Sequence, residues 1–387
     1  MGMRHLLVWL LLACGLAPAH AVIVSAPLGT FVPAPAMAQA LYNHTATLLP
    51  TGQVLITTVN GAQLFDPRAG VFLPTGAMAA QQDVATATLL PSGKVLIAGT
   101  SFPPPYASAE LYDPVLNQFG VTGNMITARY GASAASLPDG RVLIVGGRPP
   151  GASSTPLPSA ELYDPSTGTF HATGMPLWPR FEATMTVLQN GDVLLAGGTD
   201  GLGHVFASAE IYRVATGTFA ATASMGFYRV YHAATLLPDG TVLVSGGWGV
   251  TTGATVGNGT GVVLSSAELF HPSSGNFSTL TAVMTTTREN HTSTLQHDGK
   301  LLLCGGEDDY AGAVPYADIY DPVTQRFTRV IAHLITPRTA HHATLLADGR
   351  SLITGGEVWN AAGAQLIPTA AAELFAPDAL FAASFEP

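Results

Sequence analysis

The sequence predicts an all-β protein, a seven-bladed β-propeller with four strands per blade. Three observations carry that expectation: a composition rich in both core and turn formers, a phrase repeated seven times, and a strand-like segment near the amino end that supplies what the last copy lacks. Charged residues make up 10% of the 387, hydrophobic residues 47%, and there are 42 glycines and 28 prolines. Such a mixture favours many short strands over long helices. The net charge of -10 is spread without any run of Lys or Arg, so no basic surface neutralises phosphates and nucleic acid is not an expected partner.

The amino end reads Met1-Gly2-Met3-Arg4-His5, an apolar run from Leu6 to Leu16, then Ala19-His20-Ala21. These are the charged, apolar and small-residue regions of a secretory leader, expected over 1–21 and cut after Ala21, with an exported, extracellular or periplasmic product. The apolar run is shorter than the roughly 20 residues of a membrane-spanning helix, and no later segment is apolar for that long, so no transmembrane segment is expected. Leu11-Leu12-Ala13-Cys14 offers a lipobox-like alternative in which Cys14 carries a lipid. With Cys14 removed, Cys304 stands alone and no internal disulfide is available. Its setting, Leu301-Leu302-Leu303-Cys304-Gly305-Gly306, reads as a buried strand and Cys304 as a small hydrophobe.

The fullest copy of the repeat runs His232-Ala233-Ala234-Thr235-Leu236-Leu237-Pro238-Asp239-Gly240, an apolar run to Gly246-Gly247, a loop, Ser266-Ala267-Glu268-Leu269-Phe270 and Gly275-Asn276-Phe277. Apolar and β-branched runs make strands, Pro-Asp-Gly makes a tight hairpin, and the diglycine permits close backbone approach. The hairpin glycine recurs at Gly52, Gly93, Gly140, Gly191, Gly240, Gly299 and Gly349. Blade repeats are expected over 41–78, 82–125, 129–175, 180–225, 229–284, 288–334 and 338–378, within a propeller domain of 22–378 followed by a tail of 379–387. One four-stranded unit cannot bury both faces, and radial packing of seven solves that.

The phrase resembles the kelch repeat family, with Arg-x-x-His before the first strand, diglycines of the Gly146-Gly147 kind, and an aromatic such as Phe170 or Phe219 in the last strand. Copies one and two depart from it, with Thr57-Thr58 and Gly99-Thr100 where a diglycine belongs. Fourth-strand aromatics stand at Phe72, Phe119, Phe170, Phe219, Phe277 and Phe327, and the seventh copy has none. Leu28-Gly29-Thr30-Phe31 has the right form, so residues 28–37 are expected to close the seventh blade from the amino end, with the tail from Leu380 as the competing closure.

The hairpins belong to one face of the ring and the diglycine loops and blade links to the other. The second face varies, with loops of up to nineteen residues at Trp248 to Ser266, so binding residues are sought there. The expected site comprises His44, His232, His291 and His341 at the starts of the innermost strands, and Arg129, Arg180, Arg229, Arg288 and Arg338 three residues before that position. Tyr231, Trp248, Glu307 and Glu357 complete it. Asp308 and Asp309 fall on the same face, and Tyr106, Trp178, Phe206, Tyr310 and Trp359 add aromatic surface for sugars or protein pockets. His232, His291 and His341 are the metal-ligand candidates, against the reading that such residues hydrogen-bond neighbouring backbone.

Arg229-Val230-Tyr231-His232 before Leu237-Pro238-Asp239-Gly240 also resembles the segment by which the galactose oxidase family supplies a tyrosine and a histidine to copper. That family further needs a tyrosine crosslinked to cysteine at the mouth. Tyr130 is offset by one position from the place expected for it, and Asn43-His44 stands where the cysteine would be. The resulting expectation is a non-catalytic, cofactor-free, monomeric binding or scaffold protein that grips a protein or a glycan by its variable face. The alternative is a copper-dependent carbohydrate or alcohol oxidase.

Overall fold

The computed structural model describes residues 28–59, 61–80, 85–100, 107–151, 155–249, 261–309, 312–360 and 365–378. The expected leader, Cys14, the carboxyl tail, Tyr106, Tyr310 and most of the loop after Trp248 lie outside the described residues. Seven four-stranded antiparallel sheets form the blades, and the chain is all-β. Blade 1 shows the plan: an innermost strand Thr45–Leu48, then Val54–Thr58, Gly61–Asp66 and an outer strand Val71–Pro74. Two short ribbons stand outside the blades, Trp248–Gly249 paired with Val262–Val263 and Glu357–Trp359 paired with Leu366–Pro368.

The hairpin glycines are required by their turns. All seven take φ between 80° and 89°, a region costly for a residue with a Cβ. The preceding acid stiffens the turn, as where Asp239 Oδ1 accepts from Thr241 N at 2.9 Å. Every second strand is buried throughout except at Thr58, the last residue of that strand in blade 1, because it is covered on both faces by the neighbouring blades. The core is therefore seven thin layers, one between each pair of blades. Leu188, Leu194 and Ala196 of blade 4, for example, pack on Val242, Val244 and Phe270 of blade 5.

The ring closes as the sequence predicts. Thr30–Ala34 pairs antiparallel with Ala372–Ala376, placing Phe31 opposite Phe375 and Val32 opposite Leu374. In six blades a third-strand aromatic meets a fourth-strand Phe at 4.7–5.0 Å between ring centroids. Phe31 and Phe375 supply the seventh such pair at 5.2 Å.

Candidate functional site

The five expected arginines do not line the channel mouth; they are buried inside the blades. Each guanidinium is paired with the acid of its own third strand: Arg129 with Glu161, Arg180 with Glu210, Arg229 with Glu268, Arg288 with Asp318 and Arg338 with Glu373, at 2.6–3.1 Å. The same head donates to the carbonyl of the first diglycine residue, at 2.7–3.0 Å. Each acid in turn accepts backbone N–H groups from the link arriving from the previous blade, such as Gly226 and Phe227 on Glu268. The arginine is thus an internal latch whose two terminal nitrogens are used within the fold, while Nε of Arg129 and of Arg288 is left without a partner.

The four histidines are also turned from open solvent. Nε2 of His44, His232, His291 and His341 lies 3.0 Å from the hydroxyls of Thr354, Thr184, Ser245 and Thr292 respectively. Their rings fill the space above the first diglycine residue of the preceding blade: a Cβ at Gly197 would stand 2.6 Å from His232 Cε1, and Gly246, Gly305 and Gly355 face His291, His341 and His44 alike. Burial, helped by Arg229, lowers His232 to about 3, and burial likewise leads the causes that hold the other three well below the usual imidazole range. These are neutral wedges between blades, with their edges on the floor of the central cavity.

One residue earlier, the backbone turns left-handed in every blade described there: Asn43, Gly131, Glu182, Tyr231, Asn290 and Ala340 take φ between 50° and 61°. The repeated turn swings this position to the channel mouth, where the six form a collar around a cavity of about 420 Å³. Backbone bonds stitch part of it, Asn290 N to Tyr231 O at 2.9 Å and Ala340 N to Asn290 O at 3.1 Å. The collar is chemically lopsided. Glu182, Tyr231 and Asn290 occupy adjacent blades, while Gly131 and Ala340 leave space beside them.

A second ring stands next to the collar. Arg148, Thr199, Trp248, Glu307 and Glu357 follow their diglycines and bridge to Tyr130, Phe181, Val230, Glu289 and Thr339. Arg148 lies 3.5 Å above the Phe181 ring. Glu182 is open to the cavity yet walled by protein, and the lost hydration raises its carboxyl pKa against the pull of Arg148. Tyr231, 38% exposed, is raised by burial first and then by Glu182 and Glu289. Glu289 is pushed to about 7, by burial and then by Glu307 and Asp309. Glu307 is raised by burial, then by Glu357 and Asp308, and Glu357 by burial.

Of the expected residues, Tyr231 lines the cavity, while Trp248, Glu307 and Glu357 bridge to the residues beside the collar. Sequence reasoning missed Glu182, Glu289, Asn43, Asn290 and Arg148. For Asn43, Glu182 and Asn290 the signal was the column before the histidine, which reads Asn43, Val84, Gly131, Glu182, Tyr231, Asn290 and Ala340 and so changes chemistry from copy to copy in an otherwise repetitive phrase.

The donors do not fit a copper centre of the oxidase kind. His232 Nε2 is engaged by Thr184, and among the described residues no three His, Cys, Asp or Glu gather as metal ligands. Cys304 is buried in its strand, its thiol pushed by burial to about 12, far from forming a crosslink at the mouth.

No protein-family model matches the chain, and no curated protein does. The kelch assignment accordingly rests on the repeat's own residues. Among solved structures, a fungal alcohol oxidase of the AA5 family, determined in complex with copper, shares the fold with a TM-score of 0.71. The match covers 90% of this chain and 76% of the oxidase at 19% identity, a likeness of architecture. It runs against the expectation of a non-catalytic protein, since a solved structure with this architecture is that of an alcohol oxidase.

Proposed function

We propose that this chain is an enzyme acting on a hydroxyl-bearing small molecule, a carbohydrate or simple alcohol, at the collar, with Glu182 and Tyr231 as the groups that meet it. The observation that carries this reading is their placement in adjacent blades on the wall of one cavity, where both are held toward their protonated forms. A carboxyl whose pKa is raised can serve as a proton donor as well as an acceptor, and a phenol donates a hydrogen bond to a substrate oxygen. Glu182 exchanges a proton with the bound molecule while Tyr231 orients the oxygen, and Asn290 offers a further polar contact beside them. The fold shared with an alcohol oxidase supports the substrate class. No step of this reading is assigned to copper, since Nε2 of each of the four wedge histidines is hydrogen-bonded to a hydroxyl.

A copper-dependent oxidase is the second reading, favoured by that fold and by Arg229-Val230-Tyr231-His232. Incubation of the purified protein with sugars and alcohols, following products by NMR together with peroxide and bound copper, separates the two. Turnover without copper is expected, falling by about 100- to 10,000-fold in Glu182→Gln and substantially in Tyr231→Phe. Turnover untouched in both variants would reject the collar as the site. Peroxide release that depends on alcohol and on stoichiometric copper would put the second reading first.

A further inference from the structure

We propose that the cleft between blades 4 and 5, on the mouth-side rim outside the collar, is a binding site for a neutral, β-linked glycan. The cleft is an open groove of about 760 Å³, against about 420 Å³ for the central cavity. Trp178, Phe206, Tyr228 and Phe277 form its aromatic walls, and Trp178 is 57% exposed. The Phe206 ring is steadied by the Arg180 guanidinium 5.0 Å from its centroid, so part of the wall is preorganised.

Gly226 opens the floor. Its N–H donates to Glu268, as the N–H groups of Ile126, Leu177, Thr285 and Ile335 donate to the corresponding acids of other blades, so these positions are equivalent. Where those blades carry a side chain, blade 5 carries none. A Cβ at Gly226 would stand 3.2 Å from Thr279 Oγ1 and 3.3 Å from Glu268 Oε2, and all three residues line the cleft, so a side chain here would crowd its floor. The hydroxyls of Ser208, Ser224 and Thr279 border the opened floor.

Aromatic faces over a hydroxyl-bordered floor match a pyranose, which presents flat C–H faces and a polar edge. A β-linked chain with equatorial substituents keeps those faces extended from unit to unit. The charge argues for a neutral ligand: Arg180 and Arg229, the cations beside the cleft, are both ion-paired, and the chain carries a net charge of -10. The segment from Gly226 to His232 lines the cleft at one end and the collar at the other. Tyr228 and Tyr231 are three residues apart, at most about 10 Å along the chain, so a short oligosaccharide seated on the rim reaches the mouth. The rim site rests on its own geometry and needs no catalysis at the collar.

Titration of the full chain with cellohexaose and with laminarihexaose, read by calorimetry and tryptophan emission, tests it without reference to turnover. Saturable binding of at least one is expected, weakened at least tenfold in Trp178→Ala and in Gly226→Leu. Val323→Ser, in an exposed turn of the opposite face, leaves it unchanged, and melting temperatures report whether each variant is folded. Absence of binding by both oligosaccharides, or equal affinity in folded Trp178→Ala and the parent, overturns the assignment.

Discussion

Each histidine wedge of this ring sits over a glycine of the preceding blade, which permits the ring without requiring it, since Ala183 follows the diglycine Gly146-Gly147. His44, His232, His291 and His341 each follow a blade whose diglycine leaves room for a ring, whereas Ala85 and Ala132 follow the blades that carry Thr57-Thr58 and Gly99-Thr100. The imidazoles are neutral in the fold, with His232 near 3 against an ordinary 6.5, so they stabilise above pH 6.5 and that contribution is lost as pH falls toward 3. Glu289 has the opposite sign. Its folded value of about 7 against an ordinary 4.5 means that the folded state holds the extra proton, and stability declines as pH rises from 4.5 to 7. Glu289→Gln should therefore gain in melting temperature over the parent as pH is raised from 5 to 7.5. A difference that stays constant with pH would show that the carboxyl does not titrate in this way.

Blades 3 to 7 are each tied by a latch built from three elements: the arginine before the first strand, the diglycine after the second, and the acid near the start of the third. Removing one partner of such a buried pair leaves an uncompensated charge, at a cost of about 3–5 kcal/mol. Arg229→Leu is expected to lose that much in denaturant unfolding. Blade 1 shows what a neutral latch looks like, since Leu41 and Gln63 are buried there and Gln63 Oε1 accepts from Ala38 N at 3.1 Å. Arg229→Leu combined with Glu268→Gln should accordingly recover most of the loss. A double variant no more stable than the single one would mean that the latch acts through its hydrogen bonds to Gly246 and Ser266 rather than its charge.

Across the whole molecule, stability depends on every one of seven thin cores being covered, and among the described residues the outer strand of the seventh blade comes from the amino end. Deleting residues 28–34 should leave Phe375 without its ring partner and expose the edge of Ala372–Ala376, lowering the melting temperature sharply and promoting association through the open edge. Phe375→Ala, at a fully buried position, should cost about 3–5 kcal/mol. An unchanged melting temperature in the deletion would show that the ring holds without its clasp. The ring also concentrates its chemistry: Glu182, Tyr231 and Asn290 on the collar and the rim cleft at Gly226 all belong to blades 4 to 6, so one sector of a nearly symmetric scaffold carries both proposed sites.

By itself the sequence determined the number of blades, the hairpins, the aromatic pairs and the clasp of Phe31 on Phe375, because these follow from local turn chemistry and strand periodicity repeated seven times. Only the tertiary structure decided which polar residues face the mouth. Arginine and histidine look alike as ligands and as interior hydrogen-bonding groups in a list of residues, and their fate depends on the adjacent blade: a third-strand acid for Arg229, a glycine for His232. The left-handed turn at Glu182 and Tyr231, invisible in residue types that rarely adopt it, moved the candidate site one position along the chain and out of the blade interfaces.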